Sequence, residues 1–399
     1  MRSELAAGKL SQMNILYDDN MPYAEQCFSL LGDATPFSAG NINLDLLSET
    51  DALMVRSTTK VNAELLAHAP KLQLVATATA GFDHFDLAAL DESQVPYYVS
   101  AGCNAVAVAE YVLSAIFAYA ASRNLSLSDM RKMRIGVVGA GNVGSALESK
   151  LSALSFDYCL CDPLLALTED PREFVDLDTI LNCDIICLHV PLIEDGEYRT
   201  RHLLGDEQLK QLKANQLVIN ACRGGVIDEL AFSAQAEQRD MPVLILDAWE
   251  NEPEVNRAML PHCLYATPHI AGHTLEGKTR GTFMSYSALS RQFNIPETIQ
   301  MDEVLPQLAA LDWRNIGKCD ESLIWAAIFS LYDIRQDDRI FRQAMAQSSD
   351  VGQKFVHLRK TYGQRREFAA QTIMLNEHCD DEPIRQLLQR LAFNTQCSQ

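Results

Sequence analysis

At 399 residues, with 48% hydrophobic and 22% charged residues, the chain has room for two or three folded domains, and its composition excludes wholesale disorder. A formal net charge of −20 argues against nucleic acid or an anionic membrane as partner, so any anionic substrate needs a local basic pocket. Eleven cysteines without a CxxC pair, several of them in apolar runs (Cys183, Cys187), point to reduced thiols in a cytoplasmic protein with no metal site. No apolar region follows Met1-Arg2-Ser3-Glu4, so no signal peptide is expected.

Met13 directly precedes the first strand-like run, which makes residues 1–12 an expected extension outside the fold. Strands are predicted at Ile15–Tyr17, Ala52–Val55 and Leu72–Thr77, with helical stretches after Pro22 and Asn62; this pattern describes a small flavodoxin-like α/β domain over residues 13–104. The apolar stretch Ala105–Ala121 contains Glu110 and falls short of a membrane span, so a buried helix is expected there. From Met133 the chain alternates apolar runs with helix-period segments such as Glu207–Leu212 and Glu229–Gln238. The runs are Arg134–Val138, Tyr158–Cys161, Asp184–Val190, Leu217–Ala221, Val243–Asp247 and Leu264–Ala266. Six strands with helical crossovers predict an α/β, doubly wound Rossmann-type domain over residues 105–274. A helix after Thr274 returns residues 275–295 to the small domain. Helical segments (Ser322–Leu331, Asp338–Gln347) and a mixed tail form an expected third, α+β domain over residues 296–399.

Gly139-Ala140-Gly141-Asn142-Val143-Gly144 follows a strand and opens a helix, where glycines allow a tight turn, close approach to a pyrophosphate, and packing of helix on strand. Asp162 ends the next strand 18 residues after Gly144, placed to accept from ribose hydroxyls and repel a 2′-phosphate. No arginine follows it directly, so NAD rather than NADP is the expected cofactor. Arg223, Glu252 and His269 each sit just past a strand, where an open parallel sheet places its working residues. A lone histidine is more often structural, but Glu252 offers His269 a carboxylate that fixes its tautomer and raises its basicity, and Arg223 has the forked donors that hold a carboxylate.

On the residues Gly139–Gly144, Asn220-Ala221-Cys222-Arg223-Gly224, Glu252 and Thr267-Pro268-His269, the chain resembles the D-isomer-specific 2-hydroxyacid dehydrogenases. The resemblance implies that Arg223 binds the substrate carboxylate, His269 is the acid/base and Glu252 supports it. Asp18–Ala24, Ala52–Ser57, Ala76–Gly81, Ala101–Ala105 and Ile270–Lys278 resemble one branch of that family. Tyr332–Arg335, Leu358–Tyr362 and Arg365–Glu367 resemble the C-terminal dimerisation domain of the same branch. That likeness implies a phosphorylated hydroxy acid as substrate and a homodimer as the assembly. It further implies NAD contacts at Val190, Ala221, Cys222, Asp247 and Gly272 besides Gly139, Gly141, Asn142, Val143, Gly144 and Asp162, and substrate contacts at Ser57, Thr79 and His273, the last where the branch commonly has tyrosine. Arg56 and Arg359 are candidates for neutralising the phosphate. The alternatives are another dehydrogenase of the family, such as one for 3-phosphoglycerate, and an NADH-sensing binding protein of the same fold.

Overall fold

The computed structural model describes residues 13–38, 41–316, 318–376, 379 and 383–397. The expected extension at residues 1–12 lies outside them. The chain divides into two compact units, one holding the described residues up to Asn104 together with Thr274–Gln307, the other holding Ala105–His273 and the described residues from Leu308 on.

The first unit is built on a five-stranded sheet: β1 (Asn14–Asp18), β2 (Asp33–Phe37), β3 (Ala52–Val55), β4 (Leu74–Thr77) and β5 (Tyr97–Val99). Its order is β2-β1-β3-β4-β5 and every pairing is parallel. Parallel sheets are covered on both faces, and β3 and β4 accordingly are buried at all four positions. Short helices begin at side-chain caps: Asn43, Asn62 and Asp86 accept from the N–H groups of Asp45, Leu65 and Ala89. The helix Leu275–Phe293 joins this unit, with Phe283, Tyr286 and Leu289 in one core with Phe28 and Met54. The edge strands β2 and β5 were not among the expected ones. β2 reads Asp-Ala-Thr-Pro-Phe, polar and proline-bearing as only an edge tolerates, and β5 has three residues.

The second unit carries a six-stranded parallel sheet of β6 (Arg134–Val138), β7 (Asp157–Cys161), β8 (Ile185–Leu188), β9 (Leu217–Asn220), β10 (Val243–Leu246) and β11 (Cys263–Ala266), ordered β11-β10-β9-β8-β6-β7. The order reverses at β6, the switch point where such sheets bind ligands beyond their carboxyl ends. The helix Ala105–Ser122 is, contrary to the expectation drawn from Glu110, long and apolar enough to cross a membrane, yet 83% of it is buried within the protein. Glu110 is itself buried (3% exposed), paired at 2.9 Å with an equally hidden Lys150 (6%) on the helix Asn142–Ala153. Lys150 also donates to the Leu391 carbonyl at 3.1 Å and lies over the Phe368 ring, while Glu110 accepts from the Phe368 N–H.

The C-terminal segment holds β12 (Leu311–Trp313), β13 (Thr372–Leu375) and β14 (Asn394–Cys397), a parallel trio, with helices Ser322–Leu331, Ile334–Gln347, Val351–Lys360 and Pro383–Arg390. From Leu308 it clusters with the nucleotide-type sheet rather than by itself. The apolar face of Leu323, Ile324, Ala327 and Ile328 is buried within this chain in one core with the helix Ala105–Ser122, where the Trp325 and Phe117 rings meet at 4.7 Å. On the outer edge of β11, Asp338 accepts from the Ala266 N–H at 2.8 Å and Arg342 donates to the Leu260 and Cys263 carbonyls at 2.7 and 2.6 Å.

Candidate active site

The three glycines of the turn after β6 do different work. Gly139 has φ +87°, and a Cβ there would also strike the His189 carbonyl at 2.5 Å. At Gly144 a Cβ would lie 2.1 Å from the Gly139 carbonyl, so only glycine lets the helix Asn142–Ala153 start this close to the turn. Gly141 is different: no described atom comes within 4 Å of its Cβ position. The open space lies at a helix N-terminus with no side-chain cap, which fits a pyrophosphate on the free N–H groups of Asn142, Val143 and Gly144. Asp162 accepts from the Ala140 N–H at 2.9 Å and the Leu165 N–H at 3.1 Å, which ties it to this turn, and Val190 packs beside Gly139. Asp162→Ala is expected to narrow the preference for NAD over NADP and to weaken NAD, since it removes the expected ribose acceptor together with a brace of the glycine turn; initial rates with each cofactor check this, and a wild-type enzyme using both equally would refute it.

Arg223 follows β9. The Asn220 side chain accepts from the Cys222 N–H and donates to the Arg223 carbonyl at 2.9 Å, so the loop is stapled at its root. Burial pushes the Cys222 thiol up to about 11, keeping it neutral, and Ala221 continues the same turn. A Cβ on Gly224 would sit 1.8 Å from the Trp249 carbonyl carbon, so the backbone after Arg223 presses on the loop after β10. That loop brings Glu252 to His269: Glu252 Oε1 accepts from the Trp249 N–H at 2.8 Å, and Oε2 lies 2.7 Å from His269 Nδ1. Burial works to raise the Glu252 carboxyl, but His269, the Trp249 N–H and the Arg359 charge outweigh it and its pKa is lowered, so it stays a carboxylate.

His269 itself has φ +55°, a left-handed conformation that the surroundings must impose. Asp247 imposes it. Expected beside NAD, this residue is 1% exposed, and both its oxygens are spent on the His269 turn, accepting from Thr267 Oγ1, Ile270 N–H and Ala271 N–H at 2.7–2.9 Å. The His269 N–H donates to the Asp247 carbonyl, the Trp249 indole to the Thr267 carbonyl, and Thr267 pairs with Tyr111, three supports that strand-end motifs do not announce. Past Gly272, the His273 ring stands 6.0 Å from Tyr362. In the first unit, Ser57 is exposed, Arg56 donates to the Asn20 carbonyl at 3.2 Å, and Thr79 meets Thr77 at 2.7 Å, which in turn meets His84. Burial depresses the His84 imidazole to about 4, so it is neutral.

Residues 106–271 match the family model of the D-isomer specific 2-hydroxyacid dehydrogenase NAD binding domain, and residues 304–388 match a domain of unknown function, DUF3410. The cofactor-bound 3-phosphoglycerate dehydrogenase of Entamoeba histolytica superposes with a TM-score of 0.59 at 18% identity over 73% of this chain and 99% of its own, a likeness of fold. Fold and site define an NAD-dependent 2-hydroxyacid dehydrogenase. Over 376 residues the chain is 45% identical to an erythronate-4-phosphate dehydrogenase of Pseudoalteromonas atlantica, covering 93% of this chain and 98% of that one. It is 40% identical over 385 residues to the Yersinia enterocolitica enzyme of that name, covering 96% and 100%. The chain belongs to the erythronate-4-phosphate dehydrogenase family.

Proposed function

We propose that this enzyme oxidises 4-phospho-D-erythronate at C2 to (R)-3-hydroxy-2-oxo-4-phosphooxybutanoate, within pyridoxal 5′-phosphate (vitamin B6) biosynthesis. The observation that carries it is the His269–Glu252 pair at 2.7 Å beside the Arg223 loop, in a chain similar to those dehydrogenases along 93% of its length. A carboxylate only accepts, so Nδ1 carries the proton shared with Glu252 and Nε2 is the base that takes the C2 hydroxyl proton. Arg223 grips the C1 carboxylate with its forked N–H donors and polarises C2. NAD, bound at the Gly139–Gly144 turn, supplies the hydride acceptor. The family likeness supports Ser57, Thr79 and His273 as further substrate contacts, and Arg56 and Arg359 as the cations for the phosphate. Initial rates with 4-phosphoerythronate, 3-phosphoglycerate and D-lactate test the assignment. The first should give the highest kcat/KM, by about tenfold or more, given that losing a recognised polar group costs at least that much. A higher value with 3-phosphoglycerate would overturn it.

The enzyme works in this reading as a cytoplasmic homodimer. Among the described residues no two cysteines are joined in a disulfide, which suits a reducing compartment. The dimer is supported by the family likeness of the C-terminal segment and by Ile340 and Val356, each 50% exposed on its helices. Light scattering should give twice the chain mass for the wild type and the single mass for Ile340→Asp/Val356→Asp; a dimer that survives both substitutions rules out this face.

A further inference from the structure

Three groups converge on a residue outside the dehydrogenase motifs, His202. Its N–H donates to the Gly225 carbonyl at 2.7 Å, its Nε2 lies 2.7 Å from Glu250 Oε1, and its Nδ1 lies 3.4 Å from Asp228 Oδ2. Its φ of +54° is left-handed, a conformation that a residue with a Cβ keeps only where its contacts over-determine it. Those contacts are spaced tellingly along the chain. Gly225 is two residues beyond Arg223, Glu250 two before Glu252, and Asp228 caps the helix Glu229–Ala236 that the arginine loop runs into.

The two loops are also joined directly. Glu250 N–H donates to Glu229 Oε1 at 2.8 Å and Glu229 N–H to Glu250 Oε2 at 3.4 Å, and the Gly224 backbone presses on Trp249. Two carboxylates this close repel when both are charged. Burial, with Glu250 and Glu252 adding to it, pushes the Glu229 carboxyl up to about 7. Besides His202, Glu250 faces Arg201, whose Nη2 is 3.4 Å from Oε1 and whose Nε faces Glu194. The imidazole therefore bridges the wall carrying the arginine and the wall carrying the glutamate.

We infer that His202 is a positioning residue: held between Glu250 and Asp228, it fixes the spacing of the Arg223 loop against the Glu252 loop, so that the substrate's carboxylate and its 2-hydroxyl meet arginine and imidazole at once. This rests on the roles given above to Arg223 and His269. Misplacement of reacting groups by about 1 Å can cost on the order of 10²-fold in rate, so the effect belongs in kcat rather than in cofactor binding.

The test compares His202→Leu, His202→Gln and Glu250→Gln with wild type, on whichever 2-hydroxy acid the wild type oxidises, so a wrong substrate assignment leaves the ratio readable. His202→Leu should lower kcat about 10- to 100-fold with the NADH dissociation constant, read by fluorescence titration, unchanged. His202→Gln, whose amide keeps a donor for Glu250, should recover most of the loss, and Glu250→Gln, which keeps the acceptor but not the charge, should fall between. The loss from His202→Leu should also be smaller in an Arg223→Lys background, because positioning has less to act on once the grip is gone. Full kcat in His202→Leu, an equal loss in His202→Gln, or strict additivity with Arg223→Lys would each overturn the proposal. If His202→Leu does not fold, the Glu250→Gln rate decides it: a lowered kcat with NADH affinity unchanged supports the proposal, and full kcat overturns it.

Discussion

Removing the His269 imidazole is expected to lower turnover by about 10²–10⁴-fold, the usual contribution of a positioned acid/base, with NAD affinity little changed. In the mechanism proposed above the imidazole takes the reacting proton: Glu252 holds Nδ1 at 2.7 Å, and the Asp247-braced turn fixes the residue's backbone. Alanine tolerates a φ of +55° less well than histidine does, a backbone effect that has nothing to do with catalysis. His269→Asn separates the two, because asparagine tolerates the left-handed region yet cannot act as a base. Both variants should lose the same order of rate by steady-state kinetics, while His269→Asn melts closer to the wild type. Wild-type turnover in either would remove His269 from the mechanism.

The second large effect is structural. Lys150→Met leaves Glu110 buried without its cation and should cost about 3–5 kcal/mol of stability. Burial already pushes the Glu110 carboxyl up to about 7 although Lys150 opposes the rise. A carboxyl raised in the folded state stabilises most when protonated, and its contribution is lost as pH climbs from its unfolded value toward its folded one. Without Lys150 that folded value climbs further, so the deficit of the variant should be larger at pH 8 than at pH 6. Urea unfolding at the two pH values measures it, and Glu110→Leu/Lys150→Met should regain much of the loss, since paired apolar replacements of buried ions are often neutral. Equal stability of Lys150→Met and wild type at pH 8 would contradict the argument.

What could be read from the chain follows where its physics is local. The strands β6 to β11 stood out because a parallel sheet buried on both faces needs unbroken apolar runs, as Leu217–Asn220 and Val243–Leu246 show. β14 reads Asn-Thr-Gln-Cys and has no such signature; its place comes from pairing with β13. The stripe Leu323–Ile328 announced a buried face, yet periodicity does not say what covers it, and the cover is the helix Ala105–Ser122 of the same unit. At the site, Arg223, Glu252 and His269 were visible because each ends a strand. Asp247 ends one too, but its position alone did not show that its carboxylate braces the His269 turn. His202 was invisible, since its importance lies in contacts 23 to 48 residues away along the chain.

The outer edge of β11 has a consequence for how these molecules behave in a crowd. A parallel sheet whose last strand keeps unspent N–H and C=O groups can recruit a strand from any neighbour, and the chain growth that follows has no natural end. Asp338 and Arg342 answer the Ala266 N–H and the Cys263 carbonyl of that strand from a helix, which occupies the same hydrogen bonds but offers no further edge of its own. Two side chains thus act as a terminator for the sheet, and the helix that carries them guards colloidal stability as well as the fold.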